Sequence, residues 1–95
     1  MKYKDRKEKT LKVLEILNKT SLNFKLKDTN TSQINIYLNN NQLIVYYAMK
    51  KTMYYKSNSK EQVLRNTFYD LKYENVGIDD VIIFANEKGI KNEKL

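Results

Sequence analysis

Few residues of this chain could carry acid–base or nucleophilic chemistry. Its 95 residues include no histidine and no cysteine. Their absence excludes Ser-His-Asp and Cys-His catalysis, histidine-based general acid–base catalysis and the usual zinc sites. Its two glycines, Gly77 and Gly89, are too far apart to build a phosphate-binding glycine loop. The sequence therefore predicts a protein that is not an enzyme and that uses no cofactor and no metal.

The pair Asp79-Asp80 is the strongest remaining catalytic candidate, because two carboxylates can hold Mg²⁺. Adjacent side chains on a helix point about 100° apart, however, and do not converge on one ion. A helix N-terminus favours negative charge, so helix capping is the preferred interpretation. A tyrosine nucleophile is a weaker alternative. Arginine and histidine would have to support it, and the chain has only Arg6, Arg65 and no histidine.

Side chains suited to binding are easier to find than catalytic ones, and they lie in the β-prone run between residues 42 and 56. If this run is one strand or a shallow hairpin, alternation gives it a core face of Leu43, Val45, Tyr47, Met49, Met53 and Tyr55. The opposite face then carries Tyr46, Ala48, Lys50, Thr52, Tyr54 and Lys56. Ammonium groups can neutralise phosphates while tyrosines stack on bases. The alternative is structural, since tyrosine favours strands and lysine blocks edge-to-edge aggregation.

The distribution of charge agrees with a polyanion partner. Residues 1–56 carry a net charge of +8, whereas residues 57–95 carry −1. A one-sided basic field attracts phosphate, although a lysine-rich composition from AT-rich codons would also produce it. The sequence predicts nucleic-acid contacts from a basic N-terminal helix and the tyrosine–lysine segment. The candidate residues are Lys4, Arg6, Lys7, Tyr46, Lys50, Lys51, Tyr54, Lys56 and Lys60.

The elements that must position these residues follow from apolar periodicity. Residues 4–18 show a helical pattern that ends at the polar segment 18–21. Alternation at 22–27 and 34–38, and then the run 42–56, predicts an antiparallel β-meander of three to four strands. Turns are expected at 28–32 and at the asparagines 39–41.

Two helices are expected after the meander. Ser59 and Gln62 have capping-box spacing, and an apolar stripe runs from Val63 to Leu71. A last helix over 81–87 would begin at Asp79 or Asp80 and stop at Gly89, although a strand at 81–83 is the alternative. The prediction is a single α+β domain of order α-β-β-β-α-α over residues 1–95, with 1–4 and 90–95 frayed.

Partners and compartment follow from composition. No apolar run approaches the ~20 residues that span a bilayer, and the charged N-terminus does not fit a secretory signal. The absence of cysteine fits a reducing cytoplasm. The leading hypothesis is a non-enzymatic accessory protein of a plasmid, phage or conjugative element that binds duplex DNA in preference to RNA. The alternative is a small interaction module or inhibitor that binds a host protein complex through its C-terminal helices. Whether the protein forms a homodimer is left open by the sequence.

Overall fold

Two helices and five strands make up the described part of the computed structural model, residues 3–57 and 69–93. In chain order they are α1 (Tyr3–Asn18), β1 (Asn23–Asp28), β2 (Gln33–Tyr37), β3 (Leu43–Tyr47), β4 (Thr52–Lys56), β5 (Leu71–Tyr73) and α2 (Ile78–Glu93). The strands form one antiparallel sheet in the order β1-β2-β3-β4-β5. This arrangement confirms a small α+β fold with an N-terminal helix and a meander, but with one strand more than expected.

Both helices contribute to one apolar cluster on the same face of the sheet, which we call the inner face. Val13 and Leu17 of α1 and Val81 and Ala85 of α2 are buried in it. The sheet supplies Ile34, Ile36, Ile44, Tyr46, Met53 and Tyr55. The opposite side of the sheet is called the outer face. Val13 and Leu17 are four residues apart, as are Val81 and Ala85. Residues at this spacing lie one helical turn apart on one side, so each helix presents a single stripe to the core.

Helix α1 ends where the sequence predicts, at the polar segment after Asn18. The hydroxyl of Thr20 donates to the carbonyl of Leu17 at 2.6 Å and accepts the amide N–H of Leu22 at 3.1 Å. These bonds satisfy backbone groups that a helix end leaves without partners. The chain therefore turns at once into β1.

The run 42–56 is not one strand but a hairpin, with a turn at 48–51 in which Lys51 adopts a positive φ of 53°. Tyr47 pairs with Thr52, and Tyr46 with Met53. Paired residues share a face, so odd positions of β3 lie on the same face as even positions of β4. The expected faces are therefore wrong for Tyr46 and Tyr47, although Leu43 and Val45 are buried as expected. Tyr46 lies on the inner face and Tyr47 on the outer face.

Residues 71–73 correct a second expectation, because they form strand β5 and not the end of a helix. The N–H of Asp70 donates to the carbonyl of Tyr55 at 2.9 Å, and the N–H of Ser57 donates to the Asp70 carboxylate at 2.7 Å. These two bonds align the chain alongside β4, where a strand gains partners that a helix would lack. The predicted helix start at Ser59, with residues to 68, lies outside the described residues.

Helix α2 confirms a last helix in place of the alternative strand at 81–83. Asp79 and Asp80 lie in its first turn, as expected for carboxylates near a helix N-terminus. The predicted stop at Gly89 is wrong, since the helix continues to Glu93. A helix interior tolerates one glycine at a cost of about 1 kcal/mol. Neither helix in the described ranges is long and apolar enough to cross a bilayer.

Replacing Tyr46 with phenylalanine tests the buried anchor of β3. The Tyr46 hydroxyl donates to the carbonyl of Val76 at 2.7 Å, just before α2 begins. We expect Tyr46→Phe to lower the free energy of unfolding by about 1–2 kcal/mol, because a part-buried carbonyl loses its donor. Urea denaturation measures the change. The matched control is Tyr37→Phe at an exposed tyrosine, which should stay within about 0.5 kcal/mol of the parent. Equal losses in both variants would contradict the assignment.

Candidate nucleic-acid interface

A groove of about 630 Å³ lies on the outer face of the sheet. Three tyrosines, Tyr47, Tyr54 and Tyr69, supply its aromatic surface. Lys50 and Lys72 bring positive charge to its wall, and Glu74 and Thr31 bring further polar groups. Its size falls within the roughly 300–1,000 Å³ typical of small-ligand sites. The hairpin register places Tyr47 and Tyr54 together on this outer face, so both line the groove.

The three tyrosines form a contiguous cluster. Tyr54 and Tyr69 have ring centroids 4.3 Å apart at 31°, and Tyr47 meets Tyr54 edge-on at 5.8 Å. The ammonium of Lys72 lies 5.7 Å from the Tyr54 ring centroid and 3.5 Å from a Glu74 carboxylate oxygen. Aromatic pairs of this geometry are favourable beyond the area they bury. The cluster is therefore a semi-rigid aromatic surface with cations at its margin.

Tyr47 and Tyr69 of this cluster are protonated at neutral pH. Burial raises the pKa of Tyr47 and of Tyr69 above the ordinary value, and neighbouring tyrosines add to the effect in both. Asp28 raises the pKa of Tyr47 further. Each hydroxyl can thus donate a hydrogen bond to a phosphate or base oxygen.

Tyr46 and Lys56 do not stand on the exposed surface that the sequence predicts for them. Tyr46 is only 2% exposed, because the hairpin register turns it into the core. Lys56 is 7% exposed; its ammonium lies 4.9 Å from the Tyr69 ring centroid, and burial lowers its pKa. Both side chains support the packing around β4, and neither offers surface to a partner in this structure.

The predicted basic elements meet at one end of the sheet. The Thr10 hydroxyl of α1 hydrogen-bonds the Ser32 hydroxyl, and the Ser32 carbonyl accepts the N–H of Ala48 at 3.3 Å. These contacts fix the start of the β3–β4 turn beside the β1–β2 loop and the first half of α1. The exposed lysines there are Lys7, Lys27, Lys50 and Lys51, which we call the basic end. Lys50 also lines the groove, so the two surfaces are continuous.

The remaining predicted site residues lie in different parts of the chain. Tyr54 lines the groove. Lys4 and Arg6 belong to the first turns of α1. Lys60 lies outside the described residues.

Sequence reasoning misses Tyr47, Tyr69, Lys72 and Lys27. Uninterrupted alternation assigns Tyr47 to the core, and the change of face at the turn is the missing information. The adjacent lysines at 50 and 51 are the available signal, since two charged residues within a β-prone run favour a turn over a buried strand. The apolar stripe assigns the segment around Tyr69 to a helix, and no local pattern marks Tyr69 or Lys72 as a neighbour of Tyr54.

Within residues 3–57 and 69–93, no cluster of three or more acidic side chains could hold a metal ion. Comparisons with protein-family models, curated proteins and solved structures find no match to this chain. The groove and the basic end are therefore the features from which a function can be inferred.

An alkaline titration tests the burial of the tyrosines. Four of them, Tyr46, Tyr47, Tyr55 and Tyr69, have raised pKa values, in each case first through burial. These groups hold their protons to higher pH in the folded chain than in the unfolded one. Their contribution to stability is therefore complete below about pH 10 and is lost as pH rises through the folded pKa values. We expect the near-ultraviolet absorbance to show a late component in the folded protein that is absent in urea. Superimposable titrations would contradict the structure.

Proposed function

We propose that this protein is a non-enzymatic nucleic-acid-binding protein, with duplex DNA as its favoured partner. The observation that carries the proposal is the continuity of the basic end with a tyrosine–lysine groove through Lys50. Lysines at the end supply phosphate contacts, and tyrosines in the groove supply hydrogen bonds and stacking surface. The proposed partner is recognised first by charge, because counterion release dominates affinity for nucleic acid.

Two exposed lysines in the β3–β4 turn favour a backbone contact at the basic end. The β3–β4 turn projects Lys50 and Lys51, both exposed, beyond the sheet. The Lys51 carbonyl accepts the N–H of Val76 at 2.8 Å, and the Lys50 carbonyl accepts the Thr52 hydroxyl at 3.2 Å. These bonds hold the turn backbone while leaving its two ammonium groups in solvent. A fixed turn with exposed cations loses little conformational entropy when it meets a phosphate.

Charge reversal in the turn tests the proposal. We expect the K50E/K51E double variant to bind a short DNA duplex at least about tenfold more weakly than the parent at low salt. The slope of log affinity against log salt should shrink by about two, because each of the two lysines neutralises one phosphate in the parent. Fluorescence anisotropy at several salt concentrations measures both quantities. Lys56 is left unchanged because it is buried and its replacement would disturb the fold.

The matched control changes the same net charge elsewhere. Lys12 and Lys19 are exposed on α1 and just after it, and K12E/K19E should retain most of the affinity and the salt slope. Equal weakening in both double variants would indicate a nonspecific effect of net charge and contradict the assigned surface. An affinity of the parent that is insensitive to salt would exclude phosphate binding. Competition with duplex RNA ranks the two nucleic acids.

A protein partner is the second candidate function, and one observation favours it. Leu71 and Tyr73 of the β5 edge and Ile83 of α2 are all more than a third exposed. Tyr73 contacts Phe84 with ring centroids 5.8 Å apart, which brings this edge next to α2. Apolar side chains grouped at a sheet edge suit a protein interface. Three results together would favour this second function. The parent protein binds no nucleic acid, it recovers a stoichiometric protein partner, and an I83K variant does not recover that partner.

A further inference from the structure

The groove on the outer face has features that phosphate binding does not require. A duplex presents its phosphates and groove edges to a protein, and its bases are stacked inside. The exposed lysines of the basic end suffice to bind such a backbone. The three clustered tyrosines instead form a concave aromatic surface beside that end, on the face of the sheet opposite the hydrophobic core.

The dimensions of the groove suit a planar ring. Its volume of about 630 Å³ is sufficient for one nucleobase with its sugar and is too small for a duplex. Tyr54 is buttressed by Tyr69 at 4.3 Å, and Tyr47 stands edge-on to it at 5.8 Å. Every base has a π-face, so tyrosine stacking is tolerant of sequence.

The groove also holds polar groups that match the edge of a base. Thr31 Oγ1 is buried at its wall, and no described residue gives it a hydrogen bond. An unsatisfied buried hydroxyl costs about 1–3 kcal/mol, so a ligand that supplies a partner relieves a penalty, after a change of the Thr31 rotamer. Glu74 can accept from the amino group of a base, and Lys50 and Lys72 can neutralise the flanking phosphates.

We infer that the groove binds an unpaired nucleobase, so that the protein recognises nucleic acid in which a base is extruded or single-stranded beside a duplex. The inference rests on the proposed function, because the basic end supplies the attraction for the backbone. It adds to that function a preference for a structural feature of the ligand. The continuity of the two surfaces through Lys50 lets one ligand occupy both, with its duplex at the basic end and its unpaired base against the tyrosine cluster in the groove.

The test compares two DNA ligands that differ in one feature: a perfect duplex, and the same duplex with one extra unpaired base in the middle of one strand. We expect the parent protein to bind the bulged duplex about tenfold more tightly, the scale of one base stacked on an aromatic side chain. Equal affinities for the two ligands would overturn the inference and leave the proposed function intact. Failure to bind either ligand would overturn both.

Three variants assign the preference to the groove. Tyr47→Leu and Tyr54→Leu retain apolar volume but remove the aromatic face, and each should abolish the preference, so that the bulged and the perfect duplex bind with equal affinity. Thr31→Val removes only the hydroxyl and should reduce the preference by a smaller factor. The K50E/K51E variant should weaken binding to both ligands.

The matched control is Tyr37→Leu. Tyr37 is an outer-face tyrosine that pairs with Leu43, at the far end of β2 from the groove, and it is 43% exposed. Its variant should keep the full preference. A preference that survives in both groove-tyrosine variants, or that Tyr37→Leu abolishes equally, would overturn the inference. Circular dichroism spectra of all variants should match the parent, and Thr31→Val carries the test if a tyrosine variant fails to fold.

Discussion

The pairing of Tyr47 with Thr52 across the β3–β4 turn is the constraint on which the rest of this structure depends. Side chains alternate along a strand, so one pairing determines the face of every residue in both strands. It places Tyr46 and Met53 on the inner face, against the helices, and Tyr47 and Tyr54 on the outer face. A shift by one residue would bury the groove tyrosines and expose the core. The turn thus defines the hydrophobic core and the candidate site together.

Tyrosine has different uses on the two faces of the sheet, and its hydroxyl explains the difference. In the core, Tyr46 donates to the Val76 carbonyl and Tyr55 donates to the Gln42 side chain, so neither phenol is left without a partner. Buried tyrosines are stable only on that condition. On the outer face, Tyr47 and Tyr54 contact other rings and are half-buried. The core tyrosines are thus committed to the fold, and the groove tyrosines keep surface for a ligand.

Local patterns are sufficient to predict α1, β1, β2 and the existence of α2, because each depends on periodicity within a short window. Thr20, for example, ends α1 by bonds to residues two and three positions away. The face of Tyr47 and the strand at Leu71–Tyr73 cannot be predicted in the same way. Both depend on the register of a strand pair, with Thr52 as the partner in one case and Met53 to Tyr55 in the other. The lysines of the turn can be recognised as a group from the sequence. That they lie near Tyr69 and Lys72 can be known only from the pairing of strands in the sheet.

The separation of charge from aromatic surface has a physical consequence for recognition. Ammonium groups act over about a Debye length, so the basic end can orient an incoming nucleic acid before contact. Stacking acts only at contact, and it favours a base that has already left its own stack. Because Lys50 belongs to both surfaces, a backbone held at the turn keeps the neighbouring base close to Tyr47 and Tyr54. In the proposed function, the groove would then add discrimination to an affinity that charge has established, without using any residue of the hydrophobic core.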